Sequence, residues 1–286
     1  MPDLVNRQVR QVTEPVADHG EGPVWDARRN RLIWLDMLAG DLLATDPTTG
    51  RTERYSGPED VAAVLCQSDE DWLLAGKRYL WRGTFENWQL VSQLPLAAGE
   101  RTNEGGCAAS GELYLGTMRE DETVGGGAIY RYDGIDVRAA LTSTTISNGM
   151  VFSSDGVWFI DSPTHEIRWY SIHDDGRWIA TDQAISTREF TGIPDGMCRD
   201  TDGGFWVAMY GGSAVVRFTA AGSTDVVIDI PAGCPTSCCF GGNGGRELYV
   251  TTSRYRRDTR LDPNAGALFA VQTNFQGARR FPFSPA

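Results

Sequence analysis

Four polar residues stand at matching places in this chain: Glu21, Asn103, Asn148 and Asp195. Each precedes the end of a short apolar run by nearly the same distance. Glu21 lies 15 residues before Asp36, Asn103 14 before Thr117, Asn148 13 before Asp161 and Asp195 14 before Met209. Each has glycine within two residues after it, as in Glu21-Gly22-Pro23, Asn103-Glu104-Gly105, Asn148-Gly149-Met150 and Asp195-Gly196-Met197. Two carboxylates and two amides offer the hard oxygen atoms that Ca2+, Mg2+ or Mn2+ prefers, and they do not exclude Zn2+. Two carboxylates in a partly closed space repel each other, and a divalent cation removes that cost. Asx-Gly pairs are also common turn formers. A shared phase in four copies, one of them a glutamate with no turn preference, favours the metal-binding set.

The elements that hold these residues repeat. Leu32–Asp36, Trp72–Gly76, Leu113–Thr117, Val157–Asp161, Phe205–Met209 and Leu248–Thr252 are short β-branched and aromatic runs. Their ends are 40, 41, 44, 48 and 43 positions apart. Turn sequences such as Asp26-Ala27-Arg28-Arg29-Asn30 and Asp200-Thr201-Asp202-Gly203-Gly204 precede most of them, and a further strand follows several. A period of 40 to 50 residues with about four short strands marks the blades of a β-propeller. The expected fold is all-β: a six-bladed β-propeller with four antiparallel strands per blade, residues 1–286 forming a single domain. The alternating segment Arg7–Val12 is placed as the outer strand that completes the last blade. In such a ring the inner strands line a central channel, so the four polar residues converge at one mouth.

Composition excludes several partners. The 286 residues carry 26 basic against 38 acidic side chains, a net charge of −12, which argues against nucleic acid and anionic membrane surfaces. Lys77 is the only lysine, leaving little room for Schiff-base or P-loop chemistry. No apolar run approaches the length of a membrane span. Met1–Arg7 lacks the apolar region of a signal peptide. Six cysteines scattered through a long chain, Cys66, Cys107, Cys198, Cys234, Cys238 and Cys239, read as reduced thiols. A cytoplasmic protein, monomeric or weakly homo-oligomeric, is expected.

Other motifs are weak. His19, His165 and His173 form no H-E-x-x-H pattern, and each is read as a loop or turn residue. There is no G-x-S-x-G nucleophile elbow. Asp200-Thr201-Asp202-Gly203 resembles the start of a calcium loop, but Gly211 stands where the bidentate glutamate is needed, so it reads as a blade turn. Cys238-Cys239 falls in the sixth inner strand, as packing.

Over residues 12–275 the chain resembles the gluconolactonase and regucalcin (senescence marker protein) family of six-bladed propellers. The resemblance rests on Glu21-Gly22-Pro23-Val24-Trp25-Asp26, Arg101-Thr102-Asn103, Gly116-Thr117-Met118, Ser147-Asn148-Gly149-Met150, Pro194-Asp195-Gly196-Met197, Trp206-Val207-Ala208 and Thr236–Gly242, in order. It implies one divalent metal, Ca2+ first and Zn2+, Mn2+ or Mg2+ as alternatives, held by Glu21, Asn148 and Asp195. It also implies that Arg101 and Asn103 hold substrate hydroxyls. The acidic substrate contact of the family falls on Asp121, with Glu120 adjacent. The chain departs from the family's Asn-Asp-Gly at Asn103-Glu104-Gly105 and carries Ala108 in place of a later acidic residue, which bears on sugar preference. The implied activity is hydrolysis of a sugar lactone to its acid, the metal acting as Lewis acid and Asp195 as general base. Two other readings share the scaffold: a paraoxonase-like esterase or organophosphatase, and a non-enzymatic calcium-binding propeller of the regucalcin kind.

Overall fold

Every apolar run forms the second strand of a four-stranded antiparallel sheet. The computed structural model describes residues 8–67 and 71–284, with side chains for all of these except Cys66 and Gln67. β1 (Val9–Gln11) stands apart at the start of the chain. The first blade is β2 (Gly20–Asp26), β3 (Arg31–Asp36), β4 (Asp41–Thr45) and β5 (Thr52–Ser56). The second is β6 (Val61–Gln67), β7 (Trp72–Gly76), β8 (Tyr79–Thr84) and β9 (Asn87–Gln93). The third is β10 (Glu100–Cys107), β11 (Leu113–Arg119), β12 (Gly127–Tyr132) and β13 (Val137–Thr144). The fourth is β14 (Ser147–Phe152), β15 (Gly156–Asp161), β16 (Glu166–Ile172) and β17 (Trp178–Ser186). The fifth is β18 (Ile193–Arg199), β19 (Phe205–Tyr210), β20 (Ala214–Phe218) and β21 (Thr224–Asp229). The sixth is β22 (Pro235–Gly241), β23 (Glu247–Thr252) and β24 (Phe269–Gln272), completed by β1.

The fold is therefore a six-bladed β-propeller, as the period of the runs predicts. The expected closing strand is present over its later part: Val9, Arg10 and Gln11 pair antiparallel with Val271, Ala270 and Phe269. Arg7, and the leader region Met1–Arg7 as a whole, lie outside the described residues. By chain contacts the molecule divides into two compact units of three blades each. One unit runs to Ser56 and again from Arg188 to Ala278; the other comprises Gly57–Thr187 and Arg279–Ala286.

Burial explains why the runs read as uninterrupted apolar stretches. Leu32 to Leu35 of β3 and Phe205 to Met209 of β19 are all buried, so neither face of these strands meets water. Outer strands keep a wet face, and β9 and β13 accordingly mix exposed residues with half-buried or buried ones. In the first unit Trp206, Val215, Cys238, Leu248 and Phe269 form one core cluster, with Trp34, Cys239 and Tyr249 in a second. In the other, Leu73, Leu80, Leu113 and Tyr132 pack with Phe281 and Phe283 of the C-terminal segment. Cys107, Cys198, Cys234, Cys238 and Cys239 are free and buried, the last two on the inner strand β22, as expected for packing residues. The Cys66 side chain lies outside the described residues. No helix among the described residues is long and apolar enough to cross a membrane.

Candidate functional site

All four residues picked out by phase lie on inner strands: Asn103, Asn148 and Asp195 fall within an interruption of the ladder, and Glu21, paired with Leu35, immediately precedes one. The register of β2 on β3 shifts between Glu21 and Val24, and that of β10 on β11 between Thr102 and Glu104. The register of β14 shifts between Ser147 and Met150, and that of β18 between Pro194 and Met197. A bulge re-aims the side chain it carries and lets it leave the sheet face. The glycines after these residues serve the same geometry. Gly22 has φ of +52°, which a Cβ disfavours, and a Cβ on Gly196 would lie 2.2 Å from Ser237 Oγ of the next inner strand. The other two inner strands carry the same interruption, at Ala62 of β6 and Thr236 of β22, where the residues are uncharged.

In the first unit the site residues are acidic and enclosed. Glu21 and Asp195 are 8% and 7% exposed, on β2 and β18, with β22 packed against both strands. The Gly22 amide donates to Glu21 Oε2 at 3.0 Å. His19, expected to be a loop residue, is half-buried instead and forms an isolated bridge with Ser253. Its Nδ1 lies 2.7 Å from Ser253 Oγ and its Nε2 3.9 Å from Glu21 Oε1. Tyr210, at the end of β19, has its hydroxyl pushed up to about 12, by burial first, then by Cys234, with the negative charge of Asp195 adding to it. It stays a protonated donor beside that carboxylate across the physiological range.

In the other unit the candidates are joined by hydrogen bonds. Arg101 Nη1 donates to Asn103 Oδ1 at 2.7 Å, and Asn103 Nδ2 donates to Asn148 Oδ1 at 3.0 Å and to the Ser147 carbonyl at 2.9 Å. Asn148 Nδ2 donates to Ser162 Oγ at 2.8 Å, which fixes the amide so that its oxygen remains the accepting side. Glu104, next to Asn103, has its carboxyl raised by burial, partly offset by the Gly105 amide and by Arg280.

Strand parity separates the two acidic residues after β11. Arg101 pairs with Met118, and the Glu120 amide continues the ladder to the Gly99 carbonyl at 2.8 Å. Side chains two apart share a face, so Glu120, two residues after Met118, lies on the face of Arg101. Asp121 points the other way, where Arg119 Nε and Nη2 donate to it at 3.0 and 3.2 Å and Thr123 Oγ1 at 2.7 Å. These contacts, Arg119 foremost, hold its carboxyl far below the usual range. Glu120 is lowered instead by Lys77 first, with Arg101 contributing.

Two aspartates that the sequence reading passed over position the ligand candidates. Asp36 Oδ1 accepts the amides of Asp18 and His19 at 3.1 and 3.2 Å, and Asp161 Oδ1 those of Thr145 and Ile146 at 3.1 and 2.9 Å. In each case the second amide lies two residues before the candidate, Glu21 or Asn148. The signal was present, since both runs end in aspartate. Asp200 is the blade-turn residue expected: it accepts amides of Asp202 and Gly204 at 3.0 and 2.8 Å.

The donor types in each unit suit a hard cation: Glu21 and Asp195 are enclosed carboxylates of the first unit, and Asn148 of the other has an oriented amide oxygen. No group of three His, Cys, Asp or Glu that could hold a metal occurs among the described residues.

Comparison with known proteins places the chain in a family. The model of the family described as "SMP-30/Gluconolactonase/LRE-like region" matches residues 19–254. A 6-deoxy-6-sulfogluconolactonase of Pseudomonas putida is 31% identical, covering 96% of this chain and 97% of its own. A pentonolactonase of Haloferax volcanii is 30% identical over the same shares of the two chains. A crystal structure described as that of a calcium-binding protein, regucalcin, from Agrobacterium tumefaciens superposes with a TM-score of 0.85 at 25% identity, covering 97% of this chain and 98% of that one. This chain belongs to the SMP-30/gluconolactonase/LRE-like family.

Proposed function

We propose that this protein hydrolyses a sugar lactone to the corresponding aldonic acid, and that its six blades act as one ring whose inner strands present the site. The observation that carries the reading is the common bulge: four chemically apt residues lie in, or in the case of Glu21 immediately before, matching interruptions of four inner strands. In a propeller such positions face one axis. Family membership supports the same reaction class, since the relatives named above are lactonases.

Glu21, Asn148 and Asp195 would hold one divalent cation, Ca2+ first by its preference for oxygen, with Mg2+, Mn2+ and Zn2+ as alternatives. When bound, it would supply Lewis acidity and positive charge at the lactone carbonyl. Asp195 is the general base, taking the proton of the attacking water at a carboxylate oxygen. Arg101 and Asn103, already tied to each other and to Asn148, orient the ring hydroxyls. Holding the substrate in register in this way lowers the barrier by several kcal/mol, up to roughly 7–11 in the best cases. The acidic contact at the rim falls to Glu120 or Asp121. The buried thiols and acidic surface suit a cytoplasmic enzyme acting on small molecules as a monomer or weak homo-oligomer.

A pH-indicator assay over a panel of sugar lactones, with chelator and metal add-back, tests the reading. A chelator-sensitive rate on at least one member is expected, and its absence on all of them would refute the function. Asp195→Asn is expected to lower kcat by at least about 100-fold. Full rate with metal retained would show that Asp195 is not the base.

A further inference from the structure

Beside Glu21 stands an imidazole to which the proposed reaction gives no task. His19 lies two residues before Glu21, just ahead of β2, and side chains two apart share a face. Its backbone is held from two directions. The amide donates to Asp36 Oδ1 at 3.2 Å, the carbonyl accepts from the Met37 amide at 2.9 Å, and the residue bridges to Ser253 at the end of β23. The ring packs edge-on against Tyr255, with centroids 6.3 Å apart and planes at 88°. All of these residues belong to the first unit.

The hydrogen bonds of Ser253 decide where the imidazole hydrogen sits. Ser253 is fully buried, and its Oγ accepts the Tyr255 amide at 3.0 Å. Its own proton can go to His19 Nδ1 at 2.7 Å or to the Asp18 carbonyl at 3.5 Å. The nearer acceptor takes it, because 2.7 Å is close to the optimum for a hydroxyl donor and 3.5 Å is far beyond it. A neutral imidazole that accepts at Nδ1 carries its hydrogen on Nε2. That nitrogen faces Glu21 Oε1 at 3.9 Å, while Oε2 takes the Gly22 amide at 3.0 Å.

We propose that His19 is a positioning residue for Glu21: Ser253 donates to Nδ1, and the Nε2–H turned toward Oε1 holds the carboxylate in the orientation that receives the divalent cation. The inference rests on the metal-binding part of the proposed function and deepens it. At 3.9 Å the contact is electrostatic and longer than a hydrogen bond, so it orients the oxygen without occupying it. A carboxylate oxygen has two lone pairs, and one oriented by a neighbouring donor still ligates a metal. Ser253 acts one step further out, by fixing the tautomer. An apolar side chain in place of His19 would fill the space and present no N–H to Oε1.

Titration calorimetry with Ca2+ alone, repeated with Mn2+, compares wild type, His19→Leu, His19→Gln, Ser253→Ala and Ser253→Thr, and the thermal midpoint of each is measured without metal. Long-range proton–nitrogen correlation spectra of labelled protein report the His19 tautomer, its signals identified by their loss in His19→Gln. Affinity is expected to fall about 10-fold in His19→Leu, the lower end of what outer partners contribute to a metal site, and by less in His19→Gln, whose side-chain amide retains an N–H. The wild-type spectrum should show the Nε2–H form. Ser253→Ala should show the Nδ1–H form with a smaller loss of affinity, and Ser253→Thr should restore both. Unchanged affinity in His19→Leu, or a wild-type His19 with its hydrogen on Nδ1, overturns the proposal and leaves the lactonase reading intact. A lower midpoint in His19→Leu at unchanged affinity marks a purely structural role and does the same. Should His19→Leu fail to fold, the wild-type spectrum and Ser253→Ala decide. Affinity that falls as expected in a protein that hydrolyses no lactone keeps the positioning role and refutes the reaction. A wild type that binds neither metal overturns both the metal set and the role of His19.

Discussion

At the residue scale, buried charge is tolerated here only where its partners are complete. Asp200 shows how this works away from the site. Burial alone would raise its carboxyl, but Arg217 Nε at 2.6 Å, Trp206 Nε1 at 2.8 Å and the Gly204 amide outweigh that and hold it below its usual value. A carboxyl depressed in the folded state stabilises the protein above its unfolded pKa of about 4, and that stability is lost as the pH falls through the lower folded value. Acid unfolding followed by fluorescence should therefore set in below about pH 4. In Asp200→Asn the dependence should be shallower, and neutral-pH stability should drop by about 1–3 kcal/mol in a denaturant titration, since Arg217 Nε loses its carboxylate while Nη1 keeps Asp225. Asp161 poses a milder case. Asp161→Ala removes the acceptor of two amides and should cost about 1–3 kcal/mol. It should also weaken metal binding through the displaced Asn148, measurable by calorimetry with Ca2+.

At the element scale, the bulge is what turns a sheet edge into a site. A regular inner strand would send Asn103 or Asp195 into the space between blades, where an amide or carboxylate finds no water. The extra residue releases it, and the following glycine lets the neighbouring strand approach. Gly196 is the sharpest instance, because an added Cβ meets the Cα as well as the hydroxyl of Ser237, at 2.9 and 2.2 Å, so a rotamer change does not relieve it. Gly196→Ala is expected to destabilise by about 1–3 kcal/mol and to lower lactonase rate out of proportion to that loss, because Asp195 moves with the strand. Comparing thermal midpoint and rate in the one variant checks both halves. The expectation of a four-residue set was legible in the spacing, but the bulges were not, since register depends on which residues of two strands pair. Likewise Glu120 and Asp121 are adjacent in sequence, and only the pairing of Arg101 with Met118 shows which of them shares its face.

At the scale of the whole molecule, the sixth blade takes its outer strand from the other end of the chain. β1 pairs with β24 over three residues, and the Val12 amide adds a hydrogen bond to the Leu268 carbonyl at 2.8 Å. Removing residues 1–12 should leave β24 as an open edge beside a large apolar core, lowering the thermal midpoint and promoting association visible by light scattering. Restoring Val9–Val12 as a separate peptide should reverse part of the loss.

The sequence by itself determined the number of blades, the strand type and the four candidate ligands, because burial on both faces writes a repeating apolar run and a repeat keeps equivalent residues in phase. It also pointed to the closing strand, whose alternation needs no partner to be recognised. The tertiary structure alone decided what depends on pairing across the chain: the bulges, the choice of Glu120 over Asp121 as neighbour of Arg101, and the contact of His19 with Ser253 and Glu21. Spacing along a chain fixes which residues are equivalent, whereas contact between distant strands fixes where each side chain points, and it is the pointing that chemistry requires.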